Sequence, residues 1–210
     1  QEHNGRVAFI PDKQGWLWMI EAPEPGLEYC LICDTMTGEQ SAGSRQRDKH
    51  AVGILRNGYL DAKGGWNQPE LVAAIHVEEG CQWDISVLVP FAANLAKFYG
   101  DCTAVPEANN AGMVFIELIR QLGVDVWQRE DPDHINRGKK LKKPGYWTGP
   151  GKSGTKNAWV EAMADAIREE AFVCRYRPAC DEFGWFVRNS DGSCAAIDGK
   201  NDDWVASIAI

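Results

Sequence analysis

The chain has 210 residues, 44% hydrophobic and 25% charged, a globular composition with nine tryptophans available for one large core. A net charge of −8 argues, as an average, against a nucleic-acid binder; no apolar run reaches the roughly 18 residues of a membrane span, and the first residues lack the basic-then-apolar pattern of a signal peptide. Seven cysteines without a framework argue against disulfide stapling and fit reduced thiols in a cytosol, while four isolated histidines (His3, His50, His76, His134) leave no set for zinc.

The expected organisation is one domain over 1–210, with 1–26 as an extended lead-in rich in turn residues. Residues 27–34, LEYCLICD, are a nearly continuous apolar run ending in a carboxylate, which predicts a buried central strand with Asp34 at its C-terminal end. A strand would point Cys30 and Cys33 to opposite faces, so their redox-motif spacing reads as core packing. Residues 51–55 predict a second strand, antiparallel across a long hairpin loop, and 71–77 a third, with Asn57-Gly58 as a turn signal between them.

Helical recurrence over 84–99 predicts a helix that Pro90 must kink or delay. A short strand over 102–106 then ends in Glu107, and Asn109-Asn110 precede a helix over 111–122. After Gly123 come a short strand, 124–127, and a long loop, 131–154. A helix over 155–170 carries an apolar stripe, short mixed elements follow, and Asp202 and Asp203 open a last helix over 204–210.

The charge is unevenly spread. Between 137 and 156 lie seven cations (Arg137, Lys139, Lys140, Lys142, Lys143, Lys152, Lys156) and no acid, leaving −15 for the rest of the chain. A basic segment on an acidic body suits a protein with one face toward a polyanion. The Gly-rich stretch 149–156 (GPGKSGTK) suggests a nucleotide-binding loop, but Tyr146 stands where the first glycine is needed and no apolar strand leads in, so no bound nucleotide is expected. Lys152 and its neighbouring amides could instead touch a DNA phosphate.

A three-strand meander followed by helix, parallel strand and helix, with acids at Asp34, Glu107 and Asp202/Asp203, resembles the ribonuclease H-like arrangement. More specifically, YCLICDTMTG (29–38), VPEANNAG (105–112), GYWTGPGKSGTK (145–156) and IDGKNDDWVA (197–206) resemble, in order, the nuclease domain of the large terminase subunit of tailed bacteriophages. The resemblance implies an α/β fold with a mixed central sheet, an antiparallel meander of three strands plus parallel strands, flanked by helices. It also implies a metal-dependent endonuclease that cuts double-stranded viral DNA concatemers during packaging in the bacterial host cytoplasm. By the same resemblance Asp34 would bridge two Mg²⁺ or Mn²⁺ ions, Glu107 would hold one and Asp202 or Asp203 the other, in keeping with the oxygen ligands that hard cations take.

The resemblance further implies as partners an ATPase domain of the same subunit, the small terminase subunit and the portal protein; the domain alone is expected to be monomeric. Asp48 is a weaker candidate for an outer role, and Asn109 and Asn110 read either as part of the signature or as helix caps. Two alternatives remain at this level. One is another ribonuclease H-like enzyme, such as a junction resolvase or transposase; the other is a non-catalytic module that docks on DNA or the portal through the basic segment.

Overall fold

The computed structural model describes residues 2–3, 6–36, 49–76, 84–132, 140–147, 155–190 and 192–209. In chain order the strands and helices that matter here are β1 (Leu17–Met19), β2 (Tyr29–Asp34), β3 (Ala51–Arg56), β4 (Glu70–Ile75), α1 (Ile85–Phe98), β5 (Thr103–Pro106), α2 (Asn110–Gln121), β6 (Gln128–Pro132), β7 (Lys140–Pro144), α3 (Thr155–Arg168), β8 (Val173–Cys174), α4 (Arg177–Trp185), β9 (Phe186–Arg188), β10 (Cys194–Ala196) and α5 (Asp203–Ala209). Two further two-stranded pieces, Glu2–His3 with Arg6–Val7 and Tyr59–Leu60 with Trp66–Asn67, lie outside the main sheet.

The central sheet runs β8-β4-β3-β2-β5, with β1 also pairing with β4. β2, β3 and β4 form the expected antiparallel meander, β5 runs parallel to β2, and β8 parallel to β4. The apolar run of the sequence thus becomes the strand between β3 and β5, where hydrogen bonds on both edges and apolar cover on both faces favour continuous hydrophobicity. Alternation along β2 sends Leu31 and Cys33 to one core, against Leu88 and Val89 of α1 and Phe115, Ile116 and Ile119 of α2. Ile32 goes to the other core, with Met163 of α3, Ala179 of α4 and Trp204 and Ile208 of α5. Each fully buried Leu, Ile or Phe contributes about 1.5–3 kcal/mol, so these two clusters hold the layers together.

Several expectations are refined. Helix α1 begins at Ile85, where Asp84 accepts a hydrogen bond from the Ser86 amide at 2.7 Å, so Pro90 does not delay its start. Between β3 and β4 the chain makes the small hairpin at Tyr59–Leu60 and Trp66–Asn67 rather than one tight turn at Asn57-Gly58. The lead-in supplies β1 to the sheet edge. In place of a strand over 124–127 there is a single parallel bridge, Val126 to Ala104, and the long loop contains β7, which pairs with β6 along its whole length. The sequence hid that hairpin because KLKKP has no apolar alternation; its order comes from the partner strand. All six described cysteines are free thiols, with Cys30 and Cys33 on opposite sides of the sheet as expected. Among the described residues no helix is long and apolar enough to cross a membrane.

Candidate metal centre

Asp34 is the last residue of β2 and is 2% exposed. It shares a face with Ile32, so it points toward α5. β5 ends one residue before Glu107, whose amide donates to the Cys33 carbonyl at 2.8 Å, and parallel pairing therefore sets Glu107 beside Asp34 on the same face. Asp203 comes from the other layer. It opens α5, is 2% exposed, and its Oδ2 accepts from the Lys49 amide at 3.0 Å, just before β3 begins at the residue opposite Asp34. Helix α5 is seated there by Trp204 and Ile208 in the core and by the Ser207 hydroxyl donating to the Ala51 carbonyl at 3.4 Å.

Asn109 ties two of these carboxylates to α2. Its Nδ2 donates to Glu107 Oε2 at 3.0 Å and more loosely to Asp34 Oδ1 at 3.4 Å, while its Oδ1 caps the helix by accepting from the Gly112 amide at 2.6 Å. The helix-cap reading of Asn109 holds, and the same side chain also reaches the two carboxylates. The turn is so tight that a Cβ at residue 112 would lie 1.7 Å from the Glu107 carbonyl oxygen, which makes glycine obligatory there.

Burial, then the neighbouring Glu107 and Asp203 charges, a carboxyl hydrogen bond with Glu107, and Asp202 together push the Asp34 carboxyl well above its usual range. Among the described residues no Lys or Arg pairs with Asp34 or Glu107; an amide donor is what they share. Neither do any three His, Cys, Asp or Glu residues there form a ready-made metal cage. The donor set nevertheless fits a hard divalent cation: oxygen atoms only, from separate elements, crowded, buried and short of positive charge. Cys33 does not compete. Its side chain faces the α1/α2 core, and burial with the Asp34 and Glu107 charges pushes its thiol well up, so it stays neutral.

Of the paired acids, Asp203 is the buried member, and Asp202 is half-buried. A fourth acid, which no sequence pattern singles out, lies behind them. Glu182 of α4 is buried and its Oε2 accepts from the Trp204 amide at 2.6 Å, holding the first turn of α5. Burial and then Asp203 raise its carboxyl to about 8, against the amides of Trp204 and Val205, which lower it. Pro178 in the first turn of α4 is a local signal for a helix start, but no local pattern ties Glu182 to Asp203.

The basic segment does not join this cluster as a block. Lys140, Lys142 and Lys143 lie on β7; Lys142 is paired with Glu130 and Lys143 with Arg129 of β6, and Lys140 donates to Glu130 at 2.7 Å. The linear run of cations is thus partly neutralised in space, which tempers the expectation drawn from its charge. Lys156 lies at the start of α3, whereas Arg137, Lys139, Lys152 and Asp48 fall outside the described residues.

Sequence comparison finds no matching family model and no matching curated protein. Solved structures do match. The large terminase nuclease from thermophilic phage G20c with bound magnesium aligns over 97% of this chain and 90% of its own at 17% identity, with a TM-score of 0.62. The fold is that of the large terminase nuclease domains. The cobalt-bound form of the G20c nuclease aligns equally well (16% identity, 97% and 90% covered, TM-score 0.62), and the Thermus phage P74-26 large terminase nuclease domain does so at 16% identity over 97% and 88%, with a TM-score of 0.59. The terminase nuclease fold is a ribonuclease H-like mixed sheet flanked by helices, as the sequence pattern implied.

Proposed function

We propose that this chain is the metal-dependent endonuclease of a large terminase subunit, cutting double-stranded viral DNA during genome packaging, with Asp34, Glu107 and Asp203 as its principal metal ligands and Asp202 in support. The observation that carries the reading is the meeting of three buried carboxylates from three elements at one end of the sheet, with no Lys or Arg paired to Asp34 or Glu107 among the described residues. Asp34, between the other two, is suited to bridge a pair of ions; Glu107 and Asp203 would each hold one. Bound divalent ions supply an activated water and neutralise the charge that develops on the leaving oxygen.

The chain's own part is positional. Asn109 holds Glu107 and Asp34 in one orientation, the Lys49 amide holds Asp203, and Glu182 holds the turn from which Asp203 projects. Lys142 and Lys143 of β7, with Arg137, Lys139, Lys140, Lys152 and Lys156, would steer the phosphate backbone without reading its sequence. The ATPase domain, small subunit and portal belong to this reading as partners, and the cytoplasm of a bacterial host as its place. A Mg²⁺ or Mn²⁺ titration of plasmid cleavage, against EDTA and against Asp34→Asn, tests it. Nicking and linearisation with metal, reduced roughly 10³-fold or more in the variant, is the expected result. Undiminished cutting by folded Asp34→Asn would overturn the ligand assignment, and no cutting with either metal would overturn the nuclease.

A further inference from the structure

Beside the acids the sheet continues into a patch that the cleavage chemistry does not use. The chain leaves the sheet at Trp127, runs out along β6, returns along β7 and re-enters at Gly145 and Tyr146. On return, Tyr146 bridges Glu107 in parallel: its amide donates to the Pro106 carbonyl at 2.8 Å, and its carbonyl accepts from Ala108 at 2.5 Å. Paired residues on neighbouring strands point to the same face, so the Tyr146 ring lies on the carboxylate side. Gly145 confirms the direction, because a Cβ there would run into Ile116 of α2 and the Pro106 carbonyl, each at 2.8 Å, on the opposite face.

Trp127 comes to the same side by the same alternation, since Val126 before it is buried with α1 and α2. Its ring centroid is 6.3 Å from that of Tyr146, with the planes only 30° apart, and Trp127 remains 41% exposed. Trp147, next along the chain, is 52% exposed. The geometry is held rigidly: the Trp127 carbonyl accepts from Gly145 at 2.8 Å, and Arg129 Nη1 donates to the carbonyls of Pro144 and Gly145 at 2.9 and 2.8 Å. A large aromatic surface left in water beside a buried acidic cluster, at the foot of a hairpin carrying exposed Lys142 and Lys143, has the composition of a single-strand nucleic-acid platform: π faces for bases and cations for the backbone.

We propose that Trp127 and Tyr146 form a stacking platform for unpaired bases, so that the preferred substrate of the carboxylate site is DNA with a locally opened or unstacked segment rather than an intact duplex. This rests on the nuclease reading for the word substrate, but not for the binding. Stacking on an aromatic ring does not discriminate among bases, so the preference is for DNA structure and not for sequence. Electrostatics alone would favour the duplex, whose charge density is higher, and an inverted order is therefore diagnostic.

The test measures affinity by fluorescence anisotropy in EDTA, where no cleavage intervenes, for a labelled single strand, an intact duplex of the same length and that duplex with a central three-nucleotide bubble. The single strand and the bubble should bind more tightly than the intact duplex. Trp127→Leu, which keeps an apolar cover at the foot of the hairpin but removes the ring, should weaken binding to both by about tenfold and leave the duplex little changed. Equal or tighter binding of the intact duplex, or a preference that survives in folded Trp127→Leu, overturns the platform. Cleavage of the bubble and intact duplexes with Mn²⁺ is scored separately: if the binding order holds but nothing is cut, the nuclease reading falls and the platform stands; if both duplexes are cut at equal rates, the substrate preference falls and the nuclease stands.

Discussion

The two ends of the central strands bury carboxylates in opposite ways. At the end where β3 finishes and β4 begins, Glu70 is 5% exposed and its Oε2 accepts from Arg56 at 3.0 Å; Arg175 completes the arrangement by joining Glu70 to Glu21. Arg56 is itself buried, 3.4 Å from Glu21 through Nε and with its guanidinium 4.9 Å over the Tyr59 ring. At the far end Asp34 and Glu107 are also buried, the Asn109 amide donates to both, and among the described residues no Lys or Arg pairs with either. One end carries its cations in the chain. On the proposed nuclease reading the other would take divalent cations from solution, which would separate a carboxylate that holds a fold together from one kept ready for chemistry.

The contrast predicts different responses to the loss of one acid. Glu70→Ala should be the most damaging to stability, about 3–5 kcal/mol in urea unfolding, because it leaves the Arg56 guanidinium buried without its closest partner. A loss below about 1 kcal/mol would mean that Arg56 finds other compensation and that the two ends are less different than their geometry indicates. At the acidic end the sign should reverse. Asp34→Asn removes a charge that burial and its neighbours already disfavour, so in EDTA its melting temperature should equal or exceed that of the parent chain.

Divalent ions sharpen the comparison further. Saturating Mn²⁺ at about 100 times its Kd should stabilise the parent by about 2.7 kcal/mol, the Glu70→Ala protein by the same increment, and Asp34→Asn by much less. An equal gain in Asp34→Asn, read by calorimetry, would put the ion elsewhere. The last comparison concerns Glu182, behind the acidic end. Its carboxyl is raised to about 8 in the folded protein, so between the ordinary glutamate range near 4.5 and pH 8 the folded state holds a proton that the unfolded state has lost. Stability in EDTA should therefore fall as pH rises through that window, by at most about 1.4 kcal/mol for each pH step of one. Glu182→Gln, which can still accept from the Trp204 amide, should flatten that part of the profile; an unchanged slope would assign the pH dependence to other groups.

Much of this was written locally. The strand ending at Asp34 was legible because an apolar run cannot tolerate a carboxylate except at its end, and the helices α1 and α2 because capping residues and a 3.6-residue period mark their bounds. The hairpin of β6 and β7 was not, because its lysines carry no period and its acids and bases meet only across the ladder. Glu182 was invisible for a similar reason: a glutamate in a short helix without a clear sequence period acquires meaning from a hydrogen bond to an amide 22 residues away.

The sequence by itself determined the order of β2 through α2, the helices α3 and α5, and the three positions where acids stand at element ends, since period, capping and residue polarity are properties of neighbours in the chain. Only the tertiary structure decided which of Asp202 and Asp203 is buried beside Asp34, that the carboxylates of the opposite end are matched by arginines, and that Trp127 and Tyr146 meet across the foot of a hairpin. Those outcomes depend on the direction in which side chains leave paired strands and a packed helix, and that direction is fixed by long-range register rather than by any local pattern.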